Sequence, residues 1–417
     1  MELASRDCLL SALSSNCMDR PFTFVRGVIV LEDRLLVDGG VRVVGGRIDS
    51  VFAESSIYPK PFGETFLDLA GRFLVPGFVD LHVHGGAGAD FMDVSADAFL
   101  TIRKAHARHG TTSLLATSTV ARHDQLLRFL QLCQDHRRID ADGARVLGAH
   151  FYGPYFAREA RGCHPGGPVR PPTPDEFHQY LEFADAIVTA TVAPELDGAE
   201  EFVRACRDVG IRCNAGHSHA TFTQVEHAVA WGVRHVDHLF CAMSDRARLR
   251  QSQSHPMRGG LLEATLYFDQ LTTEVIADGK HLERELLLLA HKIKGPDRLA
   301  LVTDANRALD MPDGEYWFGP KDGGERILRR DGVGLTLDGS ALASGVVGLD
   351  EQVRTMRRLT GLPLPEIVRM ASLTPARIAG YDREIGSIAP GKLADLVVLD
   401  DGLHVCDVFI GGRRVAP

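Results

Sequence analysis

The sequence predicts an α/β chain: a (β/α)8 TIM-like barrel with a small β-sandwich formed from both chain ends. Three observations predict it. Eight apolar runs of strand length alternate with stretches of helical period through the middle of the chain. Short runs rich in Val, Ile and Leu, punctuated by glycine pairs, occupy the beginning and the end. Histidines and one aspartate fall at the carboxyl ends of the expected middle strands, the face on which barrels carry their sites.

Residues 1–20 read as an N-terminal extension. Asp7, Asp19 and Arg20 interrupt them and no apolar core is present, so no secretory signal is expected. Strands are expected at 24–30, 40–44 and 47–51, with Gly39-Gly40 and Gly45-Gly46 as hairpin punctuation. Residues 393–399 and 405–410 have the same look, and Gly411-Gly412 follows them. The expected division is 1–75 with 385–417 for the sandwich and 76–384 for the barrel. Barrel strands are expected at 78–83, 112–116, 144–149, 187–192, 211–215, 234–237, 273–277 and 299–303. Helical periods fall between most of them, at 96–108, 125–135, 199–208, 221–230 and 282–293. A doubly wound open sheet is the structural alternative, but no GxGxxG follows the first strand. The Pro- and Gly-rich segment 162–174 reads as a long loop after the third strand, a usual place for function.

Composition narrows the function classes. The chain has 417 residues, 45% hydrophobic and 24% charged, values of a soluble globular protein rather than a disordered one. A formal net charge of −9 with no basic run argues against nucleic acid and anionic membranes as partners. No apolar run approaches the ~18 residues of a spanning helix. Eight cysteines are scattered singly with no CxxC pair, a pattern of reduced thiols in a cytoplasm.

His82-Val83-His84 closes the first barrel strand. Residues i and i+2 of a strand face one side, so both imidazoles can converge on one metal ion. The pair alone is weak evidence, because a chain with 18 histidines also contains His217-Ser218-His219. Position strengthens it. His217 ends the fifth strand, His238 the sixth and Asp304 the eighth, so five metal- or proton-competent groups share one face. Imidazole and carboxylate suit zinc or a similar divalent ion. Other features read as structural. His106 and His109 are placed on the solvent side of a helix, and Cys213 inside a strand as a small core residue.

Pro76-Gly77-Phe78-Val79-Asp80-Leu81-His82-Val83-His84-Gly85 resembles the first-strand signature of the amidohydrolase superfamily. Further segments resemble its N-acetylglucosamine-6-phosphate deacetylase family in order and approximate spacing. They are Ala193-Pro194-Glu195, Gly216-His217-Ser218, His238 to Met243, Ala277-Asp278-Gly279-Lys280-His281, Leu301 to Ala305, Leu342-Ala343-Ser344-Gly345 and Gly386 to Leu396. The resemblance covers nearly the whole chain from about Gly27. It implies a metal-dependent hydrolase that removes the acetyl group of N-acetylglucosamine 6-phosphate, with a small-molecule amino sugar as partner and a homodimer as assembly. Zinc is the expected ion, with iron or another divalent ion as alternatives. The implied metal set is His82, His84, His217, His238 and Asp304, with Asp304 and His238 catalytic. The implied substrate set is His164, Cys241, Ala242, Arg258 and His281.

The chain departs from the family at three places. Tyr152 stands where the family has a glutamate metal ligand, in His150-Phe151-Tyr152-Gly153-Pro154-Tyr155. A neutral phenol is a poor substitute for a carboxylate. Loss of a second metal position is the expectation; recruitment of Glu159 or a metal-bound phenolate are the other outcomes. Cys241 replaces an asparagine that helps hold phosphate, and Arg258 is displaced by about one position from the family's arginine. These departures keep two other readings open: a hydrolase of a different compound (a deaminase, or a deacylase of another N-acyl substrate), or a non-catalytic sugar-binding relative.

Overall fold

The protein is described by a computed structural model covering residues 21–59, 61, 63–137, 142–252 and 255–415. The expected extension, residues 1–20, lies outside the described residues.

Both chain ends build one eight-stranded sheet. The N-terminal part supplies Phe22–Val30, Leu35–Val44, Arg47–Phe52, Thr65–Asp68 and Phe73–Pro76; the C-terminal part supplies Leu396–Leu399, Val405–Ile410 and Arg413–Val415. Phe73–Pro76 pairs antiparallel with Leu396–Leu399, which joins the two ends. Their side chains share one core, where the Phe24 and Phe409 rings meet edge-on at 5.1 Å. Thr65–Asp68, Phe73–Pro76 and Arg413–Val415 were not anticipated, being too short to carry a period of their own.

The two glycine pairs of the N-terminal part differ. Gly45-Gly46 makes the expected turn, with φ of +56° and +75°. Gly39 and Gly40 instead lie inside Leu35–Val44. A Cβ on Gly39 would meet the Ile29 side chain at 2.4 Å, and one on Gly40 the Phe52 ring at 2.5 Å. Close packing, not a turn, requires glycine there.

The middle of the chain forms the barrel. Its strands are β1 (Phe78–Val83), β2 (Thr111–Thr117), β3 (Arg145–Tyr152), β4 (Ile187–Val192), β5 (Arg212–Ala215), β6 (Val233–Val236), β7 (Thr272–Val275) and β8 (Leu299–Leu301). They pair in sequence order, all parallel. Burial on both faces explains their near-continuous apolar runs: every residue of β1, β2 and β4 is buried. The seam between β8 and β1 is joined just past β8. Val83 bridges Ala305, the Ala305 carbonyl accepts from the His84 amide at 2.9 Å, and the Thr303 hydroxyl donates to the Asp80 carboxylate at 2.6 Å.

Helices return each strand to the next. Ala96–Arg108 starts where the Ser95 side chain accepts from the Ala98 amide, and Phe222–Trp231 starts at a capping box between Thr221 and Gln224. His106 and His109 contradict the solvent-side expectation. His106 is fully buried with Nε2 3.0 Å from the Gly85 carbonyl, and His109 lies between Asp310 and Asp350 at 2.9 and 2.8 Å. Their partners come from chain segments far away, which helical period cannot reveal. After β8 a three-stranded antiparallel sheet, Gly314–Phe318, Glu325–Arg330 and Val333–Thr336, interrupts the pattern. It was also not anticipated, and it brings Phe318 against His84 and His164 with ring centroids 5.0 Å apart in each case. Among the described residues no helix is long and apolar enough to cross a membrane.

Candidate active site

The carboxyl ends of the barrel strands carry the expected residues. His82 lies in β1 and His84 just after it; Tyr152 ends β3; His217, His238 and Asp304 follow β5, β6 and β8. The last three have left-handed backbones, with φ of +45°, +25° and +47°. Such a turn costs about 1–3 kcal/mol at a non-glycine residue and swings its side chain over the barrel mouth. All of these side chains are buried or nearly so.

His82, His84 and Asp304 bring one donor atom each within 4.8 Å of one another. Asp304 Oδ1 lies 3.6 Å from His82 Nε2 and 3.3 Å from His84 Nε2, and the Ser344 hydroxyl lies 3.1 Å from the same oxygen. His82 Nδ1 is 2.7 Å from Glu274 Oε1 and donates to it, so Nε2 is the ring nitrogen left to serve a ligand. That Nε2 and His84 Nδ1 are buried without a hydrogen-bond partner. Two imidazoles and a carboxylate around a gap, with an orphaned buried nitrogen aimed at it, fit a divalent cation. Burial opposes charge on His82, yet Asp304 and Glu274 raise its pKa to about 9. Burial likewise opposes charge on Asp304, but His82 and His84 hold its carboxyl well below the usual range.

His217 and His238 stand beside this group: the His238 ring stacks on that of His82 with centroids 5.5 Å apart, and Tyr152 lies between His82 and His217. The Tyr152 ring centroid is 4.5 Å from that of His82 and 5.3 Å from that of His217. Its hydroxyl lies 2.5 Å from His238 Nε2. Burial, then Asp237 and Asp304, push the phenol well above its ordinary value, so it stays protonated and donates to His238. His217 donates Nδ1–H to the Ala160 carbonyl at 2.7 Å, leaving Nε2 as an acceptor. Burial keeps both imidazoles neutral, His217 with help from His238 and His238 with help from His82.

A cavity of about 390 Å³ opens above these residues. His164 reaches it from the long loop after β3; its Nδ1 accepts from the Val120 amide at 3.3 Å, which leaves Nε2–H as a donor. Cys241, Ala242 and His281 line the same cavity. Burial and Asp304 push the Cys241 thiol up to about 12, so it is no thiolate. Burial opposes charge on His281, but its 2.8 Å bond to Asp278 raises its pKa. Arg258 is exposed and does not line the cavity; Arg248, from the short helix Arg246–Arg250, does. The short helix Arg246–Arg250 brings Arg248 rather than Arg258 to the cavity, which register along the chain does not reveal. Arg248, Ser344, Phe318 and Glu274 were missed as site residues. For Glu274, a carboxylate in an expected barrel strand was a signal available to find it.

The profile of the Amidohydrolase family matches residues 73–415. The chain is 34% identical over 390 residues to an N-acetylgalactosamine-6-phosphate deacetylase of Escherichia coli O157:H7, covering 92% of this chain and 97% of that protein. It is 32% identical over 383 residues to the N-acetylglucosamine-6-phosphate deacetylase of Bacillus subtilis (strain 168), covering 90% and 92%. The crystal structure of N-acetylglucosamine-6-phosphate deacetylase from Pasteurella multocida superposes with a TM-score of 0.87 at 28% identity, covering 95% of this chain and 100% of that one.

Proposed function

The chain belongs to the amidohydrolase family, and from that premise we propose that it hydrolyses N-acetylglucosamine 6-phosphate to glucosamine 6-phosphate and acetate. The observation that carries the reading is the convergence of His82, His84 and Asp304 at the floor of a cavity of sugar-phosphate size. His82, His84 and Asp304 would hold one divalent ion, zinc in this reading, with His217 as the candidate for a fourth position. When bound, such an ion supplies the Lewis acidity that activates water and polarises a carbonyl.

The chain's own residues supply the rest. Asp304 is an anion at neutral pH and its Oδ1 is engaged by His84 and Ser344. Oδ2 takes the proton of the attacking water and delivers it to the amide nitrogen as the C–N bond breaks, releasing acetate and the free amine. His164 lines the cavity, and its Nε2–H donates toward the acyl oxygen as it gains charge. His281, held against Asp278, and Arg248 supply positive charge for the 6-phosphate, and Arg248 takes over the part expected of Arg258. Phe318 closes one wall and excludes water from His84 and His164. Cys133, Cys163, Cys206, Cys213 and Cys241 are free thiols, which supports a reducing compartment, the cytoplasm in this reading.

The N-acetylgalactosamine-6-phosphate relative supports a second reading in which the C4 epimer is the better substrate. Acetate release by the metal-loaded protein, measured with both phosphorylated sugars and both unphosphorylated ones, tests the proposal. No acetate from either phosphorylated sugar would reject it, and the ratio of kcat/KM between epimers decides the sugar.

A further inference from the structure

Glu274 is an ionisable residue in the largely buried strand β7, and it is 1% exposed. A buried carboxylate survives only if its oxygens are matched by donors. Its three donors are unusually placed. Oε1 receives His82 Nδ1–H at 2.7 Å and the backbone amide of His238 at 3.3 Å; Oε2 receives His235 Nε2 at 3.2 Å. The other ring nitrogen of His235 is fixed by the Thr272 hydroxyl at 2.8 Å. Glu274 therefore touches β1, β6 and the chain just past β6 at once; one partner, His238, lines the cavity, and another, His82, is buried beside His84 and Asp304.

We infer that Glu274 is a positioning residue for the ion-binding centre: it fixes the tautomer and ring plane of His82 and the backbone turn at His238. The inference rests on the metal-centre reading given above. Only the tautomer with hydrogen on Nδ1 satisfies Glu274, and only that tautomer points the Nε2 lone pair at Asp304. A carboxylate behind a ligating imidazole also raises its basicity toward a cation. At His238 the same oxygen accepts the amide of a residue whose φ is +25°, which offsets part of the strain of that turn. His235 acts one step further out by holding Oε2, so that Oε1 cannot rotate away from His82. His235, Asp237 and Glu274 could themselves hold an ion by distance. Both nitrogens of His235 and both oxygens of Glu274 are already used within the protein, so a positioning carboxylate is a better account than an ion ligand.

The test is a zinc titration of full-length, metal-stripped protein, wild type against Glu274→Gln. Glutamine keeps the shape and can still accept from His82 Nδ1–H, so the fold is retained while the charge is lost. Zinc affinity should fall by roughly 10- to 100-fold, the range for loss of a carboxylate behind a metal-ligating histidine. With Co²⁺ in place of zinc, the visible absorption band of the bound ion should shift. A merely structural Glu274 would lower thermal stability and move neither readout, so unchanged affinity and an unchanged cobalt spectrum in folded Glu274→Gln would overturn the inference. His235→Gln is the second variant. It leaves Glu274 and His82 in place and should weaken zinc in the same direction by less; equal affinity there, should Glu274→Gln not fold, also overturns it. Wild-type protein that binds no zinc rejects the metal-centre reading itself, and this inference with it.

Discussion

Replacing Tyr152 by glutamate should convert a one-ion centre into a two-ion centre. The phenol fills the space between His82, His217 and His238, with ring centroids 4.5 and 5.3 Å from the first two and its hydroxyl 2.5 Å from His238 Nε2. On that side the donors are two neutral imidazoles and a neutral phenol, with no anion to balance a dication. Asp304 contributes its single negative charge to the His82–His84 side. Glutamate is shorter than tyrosine by most of a ring. It would vacate room for an ion, free His238 Nε2 and bring a carboxylate beside His217 and His238. Elemental analysis after gel filtration should give one equivalent of zinc per wild-type chain and two per Tyr152→Glu chain. Tyr152→Phe is the control: it frees His238 Nε2 but adds no charge, so it should stay at one. Losing a buried hydrogen-bond partner costs about 1–3 kcal/mol. With an unfolding entropy of about 2.1 cal/mol/K per residue over 417 residues, that shifts Tm by roughly 1–3 °C. Two equivalents in wild type, or one in a folded Tyr152→Glu protein, would refute the reasoning.

Asp304→Asn should keep the fold and lose roughly 10²-fold or more in turnover, the usual worth of a general acid–base group; near-normal acetate release from the metal-loaded variant would remove Asp304 from the mechanism. Arg248→Ala should lower kcat/KM for the phosphorylated sugar by roughly 10-fold, since a charge-assisted hydrogen bond is worth about 1.5 kcal/mol at the low end and Arg248 is partly solvated. Arg258→Ala should leave it nearly unchanged, and the reverse order would return phosphate recognition to Arg258. His109 should make stability fall with rising pH. Burial opposes its charge, but Asp310 and Asp350 raise its pKa to about 9 in the fold, above the ordinary value near 6.5. A raised folded pKa stabilises fully below the unfolded value, and that contribution is lost as pH climbs through about 9. Thermal melts from pH 6 to 10 should show a drop that His109→Gln flattens, and parallel curves for the two proteins would exclude the effect.

Much of this arrangement was legible because strand period and strand end are written locally. His82 and His84 are two residues apart on one strand, and His217, His238 and Asp304 each close an apolar run. Their meeting followed from the barrel, not from their spacing along the chain. Arg248 was not legible, because a five-residue helix too short to show a period carries it to the cavity. Nor were His106 and His109, whose partners lie across the fold at Gly85, Asp310 and Asp350. The sheet that delivers Phe318 was missed because its three strands follow β8, where barrel alternation had already ended.

The seam between β8 and β1 gives the site a second meaning. Two ligand candidates, His82 and His84, stand on one lip of that seam, and the third, Asp304, stands on the other. The lips are joined by the Val83–Ala305 bridge, the His84 amide and the Asp80–Thr303 hydrogen bond, a thinner joint than the ladder between β2 and β3. An ion held by all three side chains is therefore a clasp on a ring. It can form only when the first and last staves have met, some 220 residues apart in the chain, and once formed it resists their parting. Metal removal should then loosen this joint before any other, with amide exchange rising first at His84, Gly85 and Thr303 while β3 and β4 stay protected.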